Sequence, residues 1–483
     1  MLSGAVRPRR GRNMVNYGFV IDNRKCIGCH ACTVACKSEH DVPIGVNRTH
    51  VKYIEKGEYP DVTREFSVHR CNHCEDSPCT TICPTTALFT REDGIVDFDD
   101  ERCIGCKSCM QACPYDALYI DPNKGTAAKC NYCAHRIEHS YEPSCVIVCP
   151  TEAIVSGDLD DPNSSISGYI RDHETTVRKP ESGAKPNVFY IEASEDMLDP
   201  HATERDGEYL WTDQAAGVGH FAKYAENRAG AADTQSMIVQ LALEKKARAA
   251  APRDQAIIRD VMAKLNEDSG KAKRTYDQPS KGVLWGWEVT AYILTKAIAS
   301  GTYLIAMLAM FAGLIEMTAD LWWGLIIGCT AFLGLTGLLL VKDLDRPERF
   351  LYVMLRPNWD SWLVKGAYVL AGFGAVLACS AAVLFFDLNR DYLEYLAYAG
   401  IPLAILTGVY TAWLFGQAQG RSWSNDNLLL LKFFTEMIVI GFASLVLLTS
   451  SSVTHLVMAA VLYYLVAKHA HHLVIEPQME TLH

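Results

Sequence analysis

The first 285 residues of this 483-residue chain hold no apolar run of bilayer length, and the residues after Cys149 hold only two cysteines, Cys329 and Cys379. The chemistry and the membrane segment are therefore separate. No basic patch stands outside the short start "RPRRGRN", and the formal net charge is -11, which argues against a nucleic-acid surface. The twin arginine Arg9 and Arg10 is followed by "NMVNYGFVIDNRKC" where a signal peptide needs an apolar core, so residues 1–14 read as a disordered tail ahead of the fold. Without an export signal the cysteines face a reducing compartment, where disulfide frameworks are rare and metal binding is the commoner use. No G-x-G-x-x-G follows a strand pattern, which removes a nicotinamide site, and Cys329 and Cys379 read as small buried packing residues.

What is present is cysteine in four groups of four. These are "CIGCHACTVAC" (26–36), "CNHCEDSPCTTIC" (71–83), "CIGCKSCMQAC" (103–113), and "CNYC" (130–133) with "CVIVC" (145–149). The first and third have the spacing C-x2-C-x2-C-x3-C, which wraps three thiolates around one cubane and sends the fourth to a neighbour. Zinc also favours four thiolates, but in two separated pairs, not as three cysteines in seven residues. Proline follows the last cysteine in three groups, at Pro84, Pro114 and Pro150, while Lys37 takes that place in the first. His30, His69, His73 and His135 lie in or beside the groups; with four cysteines in each group they read as neighbours of the clusters, not ligands.

These groups, with "VIDNRKCIGCHACTVACKSEHDVP", the C-P-T-x-A turns at Cys83 and Cys149, and "SGDLDDPNSSIS" followed by "KPESGAKPNVFY", resemble the electron-transfer subunits of molybdopterin oxidoreductases: polysulfide, dimethyl sulfoxide and nitrate reductases and formate dehydrogenases. The resemblance covers residues 15–200. It implies an α+β fold of two ferredoxin-like diclusters holding four 4Fe-4S clusters, with ligands exchanged between the first and fourth groups and between the second and third. One cluster is then expected on Cys26, Cys29, Cys32 and Cys149, and its neighbour on Cys36, Cys130, Cys133 and Cys145. A third is expected on Cys71, Cys74, Cys79 and Cys113, and the fourth on Cys103, Cys106, Cys109 and Cys83.

Residues 201–284 read as a helical linker, in which "DTQSMIVQLALEKKARAA" and "RDQAIIRDVMAKLNEDSG" have the periodicity of amphipathic helices. From 285 to 483 an all-α membrane domain of about six transmembrane helices is expected, near 289–314, 321–341, 364–386, 395–415, 429–449 and 453–470. Loops 342–362 and 416–428 and the C-terminus then share one side with the cysteine domain. Those two loops carry Lys342, Arg346, Arg349, Arg356 and Arg421, whereas the opposite loops carry only Arg390, so the cysteine domain is expected on the cytoplasmic face of the inner membrane.

"KDLDRPERFLYVMLRPNWDSW", followed by "LVKGAY", and "WGWEVTAYILTKAIASGTYL" resemble the polysulfide-reductase type of membrane subunit, which implies a quinone site at the cluster-facing end of the bundle. Most of that family has more helices than the six read here. Candidates for quinone contact or proton supply are Glu288, Tyr292 and Lys296, which with Ser300 recur every four residues down one helix, together with Asp343, Asp345 and Arg346 and the pair Lys432 and Glu436. Haem is not expected: His455 and His469 lie about 21 Å apart on one helix and cannot grip one iron. The combined expectation is an electron-transfer and quinone-reacting subunit of a membrane-bound oxidoreductase. It would exchange electrons with menaquinone or ubiquinone and with a separate molybdopterin-type catalytic subunit, for example a formate dehydrogenase. A redox-driven proton pump is the alternative, and a zinc-stabilised scaffold a more distant one.

Overall fold

The computed structural model describes residues 15–57, 61–205, 272–278, 281–449 and 453–479. The tail 1–14 and most of the linker, including both stretches read as amphipathic helices, lie outside the described residues.

The fold starts with strand β1 (Tyr17–Asp22), whose Phe19, Val20 and Ile21 are fully buried. β1 pairs antiparallel with β8 (Ile154–Asp158), from Tyr17 opposite Asp158 to Ile21 opposite Ile154, and parallel with β10 (Val188–Ile191). That pairing decides which cysteines meet. Cys26 lies just after β1 and Cys149 just before β8, so the first and fourth groups come together although these two cysteines are 123 positions apart (149 − 26). Their helices α1 (Ala31–Glu39) and α5 (Ser144–Ile147) pack on each other, beside the single turn α4 (Ala134–Ile137). The second and third groups sit on α2 (Pro78–Ile82) and α3 (Ser108–Ala112), also packed together, each followed by a short hairpin: β4 (Leu88–Thr90) with β5 (Val96–Phe98), and β6 (Leu118–Asp121) with β7 (Thr126–Lys129).

The linker reading needs one correction. Lys273–Tyr276, placed by sequence in a helical linker, is a strand, β12, inserted between β11 (Glu204–Arg205) and β2 (His50–Lys56), with β3 (Thr63–His69) beyond. Its pairing with β2 buries Arg274, and Asp277 draws both Lys52 (2.8 Å) and Arg274 (3.0 Å) into a buried ion cluster, so tertiary contacts set the extended conformation of this short segment beyond the helical stretches.

Six long helices follow: α8 (Trp287–Phe311), α9 (Ala319–Lys342), α10 (Trp362–Phe385), α11 (Asp391–Gly416), α12 (Leu429–Thr449) and α13 (Val453–Met479). Among the described residues the first five are long and apolar enough to cross a membrane. α13 is as long, but carries Lys468, His469, His471 and His472. α8 is the central helix, packed against α9, α11, α12 and α13. It meets α12 backbone to backbone: a Cβ on Gly441 would collide with the carbonyl carbon and oxygen of Gly301, so only glycine fits that crossing. Cys329 is buried in the bundle as expected of a packing residue, whereas Cys379 is exposed on the flank of α10.

The cysteine domain and the bundle share one apolar core, in which Ile82, Leu88 and Met110 pack with Trp285, Phe415 and Trp423. The segments after α9 and α11 and the end of α13 all touch the cysteine domain: Asn358 N–H donates to the Pro84 carbonyl, Gly420 N–H to that of Gln111, and the Gln111 amide donates to Gln478 Oε1 (2.8 Å). These are the three segments that the hydropathy pattern puts on the cluster side.

Candidate functional site

Each cysteine group is built on a repeated local conformation. In "CIGCH" and "CIGCK", Gly28 (φ 67°) and His30 (φ 59°) correspond to Gly105 (φ 70°) and Lys107 (φ 59°), all left-handed, which curls the backbone around the space the cysteines enclose. Gly28 is required twice over, because a Cβ there would also run into the Phe66 ring. Three residues after Cys83, Cys113 and Cys149 stand Thr86, Asp116 and Glu152, again left-handed at φ near 50°. The three Cys-Pro turns are one conformation used three times.

Cys26, Cys29, Cys32 and Cys149 line one cavity, with Gly28 and His30 in its wall. Cys83, Cys103, Cys106 and Cys109 line a second. Cys36 lies within electrostatic reach of Cys133 and Cys145, and Cys130 of Cys36 and Cys145. Cys74 likewise lies within electrostatic reach of Cys71, Cys79 and Cys113. The four sets follow one another in space: Cys32 is near Cys145, Cys130 near Cys71, and Cys79 near Cys83.

Burial, reinforced by neighbouring thiols, pushes Cys32 up to about 11 and Cys36 up to about 12. Burial likewise drives Cys106 up to about 12, with Cys83 adding to the shift. Four thiolates in such a pocket repel one another until a cation neutralises them. Iron would supply that charge, and four soft sulfur donors lining a cavity suit a cubane. Polar hydrogens are already aimed at the sulfurs: Ala127 N–H at Cys103 Sγ (3.4 Å), Ala153 N–H at Cys149 Sγ (3.2 Å) and Arg70 Nη1 at Cys145 Sγ (3.2 Å).

The four histidines singled out by sequence have other partners. His73 Nδ1 accepts from Val96 N–H, His69 meets Ser67 and Arg178, His135 pairs with Glu39 at 2.7 Å, and His30 packs on Tyr53 and Tyr276. The histidine that does reach a thiol is His40, whose Nε2 lies 3.1 Å from Cys133 Sγ. Sequence reasoning missed it, and missed Arg70, because each lies more than seventy positions from the cysteine it touches.

The bundle grips one cysteine set in particular. Trp285 Nε1–H donates to the carbonyl of Cys106 (3.2 Å), Arg349 to that of Cys103 (3.0 Å) and Asn358 to that of Cys83 (2.7 Å). Asp345 and Arg346, read as quinone candidates, belong to this clamp: Asp345 pairs with Lys107 (3.2 Å) and its N–H meets Gly105 O, while Arg346 N–H meets Ile104 O and its side chain the Lys124 carbonyl. Asp343 stays largely out of water beside them, and burial raises its carboxyl to about 7 despite the pull of Lys107.

Beyond the clamp an aromatic stack leads inward. Trp285 stacks on Phe415 (5.4 Å) and Trp423 (5.7 Å), and Phe415 meets Phe433 edge-on (5.9 Å). Phe433 faces the fully buried ammonium of Lys296 at 5.1 Å, and the Tyr410 ring lies 4.6 Å from that ammonium. Lys296 neither snorkels nor reaches Glu288: it bonds Thr411 Oγ1, while Glu288 pairs with Lys342 at 3.5 Å. Tyr292 and Ser300 are buried on the same helix, and the Ser300 hydroxyl donates to the Lys296 carbonyl. Lys432 and Glu436 do not pair with each other as their spacing suggested. Lys432 turns to Asp426, and Glu436 turns to His469 of α13.

The comparisons with known proteins fall on the two halves of this architecture. Residues 62–159 match the family described as a 4Fe-4S dicluster domain, and residues 276–474 match the family described as polysulphide reductase, NrfD. The B subunit of tetrathionate reductase from Salmonella typhimurium is 42% identical over 188 residues, which is 38% of this chain and 75% of that protein. The B component of polysulfide reductase from Wolinella succinogenes is 42% identical over 178 residues, 36% of this chain and 93% of the relative. The iron-sulfur B subunit of a putative dimethyl sulfoxide reductase from Halobacterium salinarum is 36% identical over 251 residues, 46% of this chain and 93% of the relative. With both halves accounted for, the protein belongs to the iron-sulfur electron-transfer subunits of the polysulfide, tetrathionate and dimethyl sulfoxide reductase family, here fused to a polysulfide-reductase-type membrane domain.

Proposed function

We propose that this protein carries electrons through four 4Fe-4S clusters between a molybdopterin-type catalytic subunit and a quinone in the bilayer. When bound, the clusters supply one-electron carriers whose potentials respond to hydrogen bonds, burial and nearby charge. The residues that would hold them are the four sets of thiols described above. The observation that carries the reading is the clamp: three of the four cysteines in the set nearest the membrane have their carbonyls hydrogen-bonded by bundle side chains, at the mouth of the aromatic stack that ends on Lys296. At the other end of the series Cys29 and Ile27 are exposed, which supports contact with a catalytic partner there.

Reducing a quinone takes two electrons and two protons. Tyr292, Lys296, Tyr410 and Glu436 combine a water-poor aromatic wall with groups able to hold protons, which supports a menaquinone- or ubiquinone-sized head group beside them. Glu288 and Asp343 stand at the mouth of the same region. The catalytic partner is a subunit of the class found beside tetrathionate, polysulfide or dimethyl sulfoxide reductase iron-sulfur proteins, or a formate dehydrogenase. The excess of Lys and Arg on the cluster-side loops supports a cytoplasmic position for the clusters in the inner membrane.

The test is electron paramagnetic resonance of the anaerobically purified protein, with iron and zinc counted, before and after a reduced menaquinol analogue is added. Iron sufficient for four clusters and signals that respond to the quinol are expected. Clusters indifferent to quinol, or zinc in place of iron, would refute it.

A further inference from the structure

α8 and α12 run in the same direction away from the cysteine domain and touch at Gly301 and Gly441. Lys296 and Glu436 each lie five residues before that contact (301 − 296 and 441 − 436), so at 1.5 Å per residue both sit about 7.5 Å nearer the clusters, at one level. α13 runs back alongside, and its register brings His469 Nδ1 onto Glu436 Oε1, with a second bond between the Tyr463 and Ser444 hydroxyls about two turns away.

Exposure is graded along this line. Lys296 is fully buried, Glu436 is 7% exposed, and the His469 side chain is 49% exposed. Glu436 has one oxygen on the imidazole, while its other oxygen, Oε2, is buried with no hydrogen-bond partner among the described residues. The groups whose charge reaches Glu436 are Lys296 from α8, His469 from α13, and Lys432 of its own helix, which is itself engaged by Asp426. Lys296 in turn interacts electrostatically with Glu436 and bonds a hydroxyl, that of Thr411. A carboxyl with one oxygen on a half-exposed imidazole and the other facing a dry interior is built to take a proton on one side and give it up on the other.

We propose that His469, Glu436 and Lys296 form a proton relay from the flank of α13 to the buried Lys296 ammonium and its aromatic wall, with His469 as its outer member. The proposal rests on the quinone reading above. Conversion of quinone to quinol consumes two electrons, delivered from the cysteine domain, and two protons, which the relay supplies one at a time. Water protonates His469 at Nε2, and the imidazolium releases its Nδ1 proton to Glu436 Oε1. The Lys296 ammonium gives a proton to the quinone oxygen, and the carboxyl then turns and releases its own proton to the amine left behind. Carboxylate and neutral imidazole are restored, the ring returning to its first tautomer by rotation or exchange with water. Quinol oxidation runs the same steps in reverse.

The experiment uses the full cluster-loaded protein in lipid nanodiscs and follows bleaching of the cluster absorbance after mixing with a menaquinol analogue. His469→Ala is expected to slow the bleaching about a hundredfold, and added imidazole is expected to restore it in proportion to its concentration. His469→Gln, which keeps a polar side chain against Glu436 but cannot titrate, should be equally slow, which covers the case of an alanine variant that fails to fold. Binding of a fluorescent hydroxyquinoline N-oxide probe and bleaching by dithionite should be unchanged in both. Wild-type rates in either variant, slow rates that imidazole does not rescue, or loss of probe binding would overturn the relay. A wild-type protein that neither binds the probe nor responds to quinol would instead overturn the quinone reading.

Discussion

Replacing Lys296 by Met separates stability from function with opposite signs. The ammonium is fully buried, bonds one hydroxyl and faces three aromatic rings at 4.6, 5.1 and 5.9 Å, with no carboxylate in contact among the described residues. Withdrawing an ion from water costs several kcal/mol even after the protein relaxes. Cation–π attraction returns about 0.5–2 kcal/mol at a good site, and a neutral hydroxyl partner about 1 kcal/mol more. The balance is unfavourable, and an unbranched apolar side chain of similar length fills the same slot. Lys296→Met should therefore stabilise the bundle by about 1–4 kcal/mol, the range seen when buried ions give way to packed apolar groups. Quinol-driven cluster reduction should at the same time be lost. The assay is the apparent unfolding midpoint of the cluster-loaded protein at a fixed scan rate, read by tryptophan fluorescence, beside the bleaching rate. A lower midpoint would refute the reasoning, because it would mean that the charge is held by compensating structure; a raised midpoint with quinol reactivity intact would refute the role given to the ammonium.

Three further outcomes follow from the site. Asn358→Ala removes the bonds to the Cys83 carbonyl (2.7 Å) and the Thr80 carbonyl (3.2 Å), so it should cost about 1–3 kcal/mol and broaden the resonance of the membrane-proximal cluster, the other three being unchanged in paramagnetic resonance. Arg70→Gln removes a buried positive charge that donates to Cys145 at 3.2 Å; since reduction adds negative charge, the cluster proposed on Cys36, Cys130, Cys133 and Cys145 should titrate at a lower potential, and a rise or no change would contradict the assignment. Asp343 has a folded-state pKa of about 7 against an ordinary value of 3.8, so the folded protein holds more protons between those values. Stability should fall as pH rises through that window, and Asp343→Asn should remove this slope from the unfolding midpoint measured against pH.

The cysteine groups were legible because their information is local. Spacing, Gly28 and Gly105, and the Cys-Pro turns repeat within a few residues, and the structure gives each repeat the same left-handed positions. Which groups lie side by side was not local: it depends on β1 pairing with β8 across more than a hundred residues, and only family resemblance supplied it in advance. Helix positions in the bundle were legible from hydropathy, but not the direction of any side chain around a helix. Lys432 and Glu436 looked like an i, i+4 pair, yet pairing with each other would leave Asp426 and His469 without their partners, and each finds the nearer opposite group once α12 is packed.

His469 shows where a sequence argument of this kind stops. Its pattern, "KHAHH" near the end of a long apolar helix, could be weighed only against haem, since a pair of histidines on one helix was the one constellation the sequence itself offered. The partner that gives it meaning is an acid thirty-three positions earlier, on an antiparallel neighbour, and the onward step to Lys296 depends on the Gly301–Gly441 contact fixing how deep α8 and α12 sit against each other. A shift of one helical turn at that crossing, about 5.4 Å, would move Lys296 off the level of Glu436. Gly441→Ala is therefore expected to slow quinol-driven bleaching although it changes no titratable group, with Gly441→Val, which forces the backbones further apart, slower still. Wild-type rates in both, with the bundle intact by fluorescence, would show that the level of Lys296 against Glu436 does not matter and that protons reach the pocket by another route.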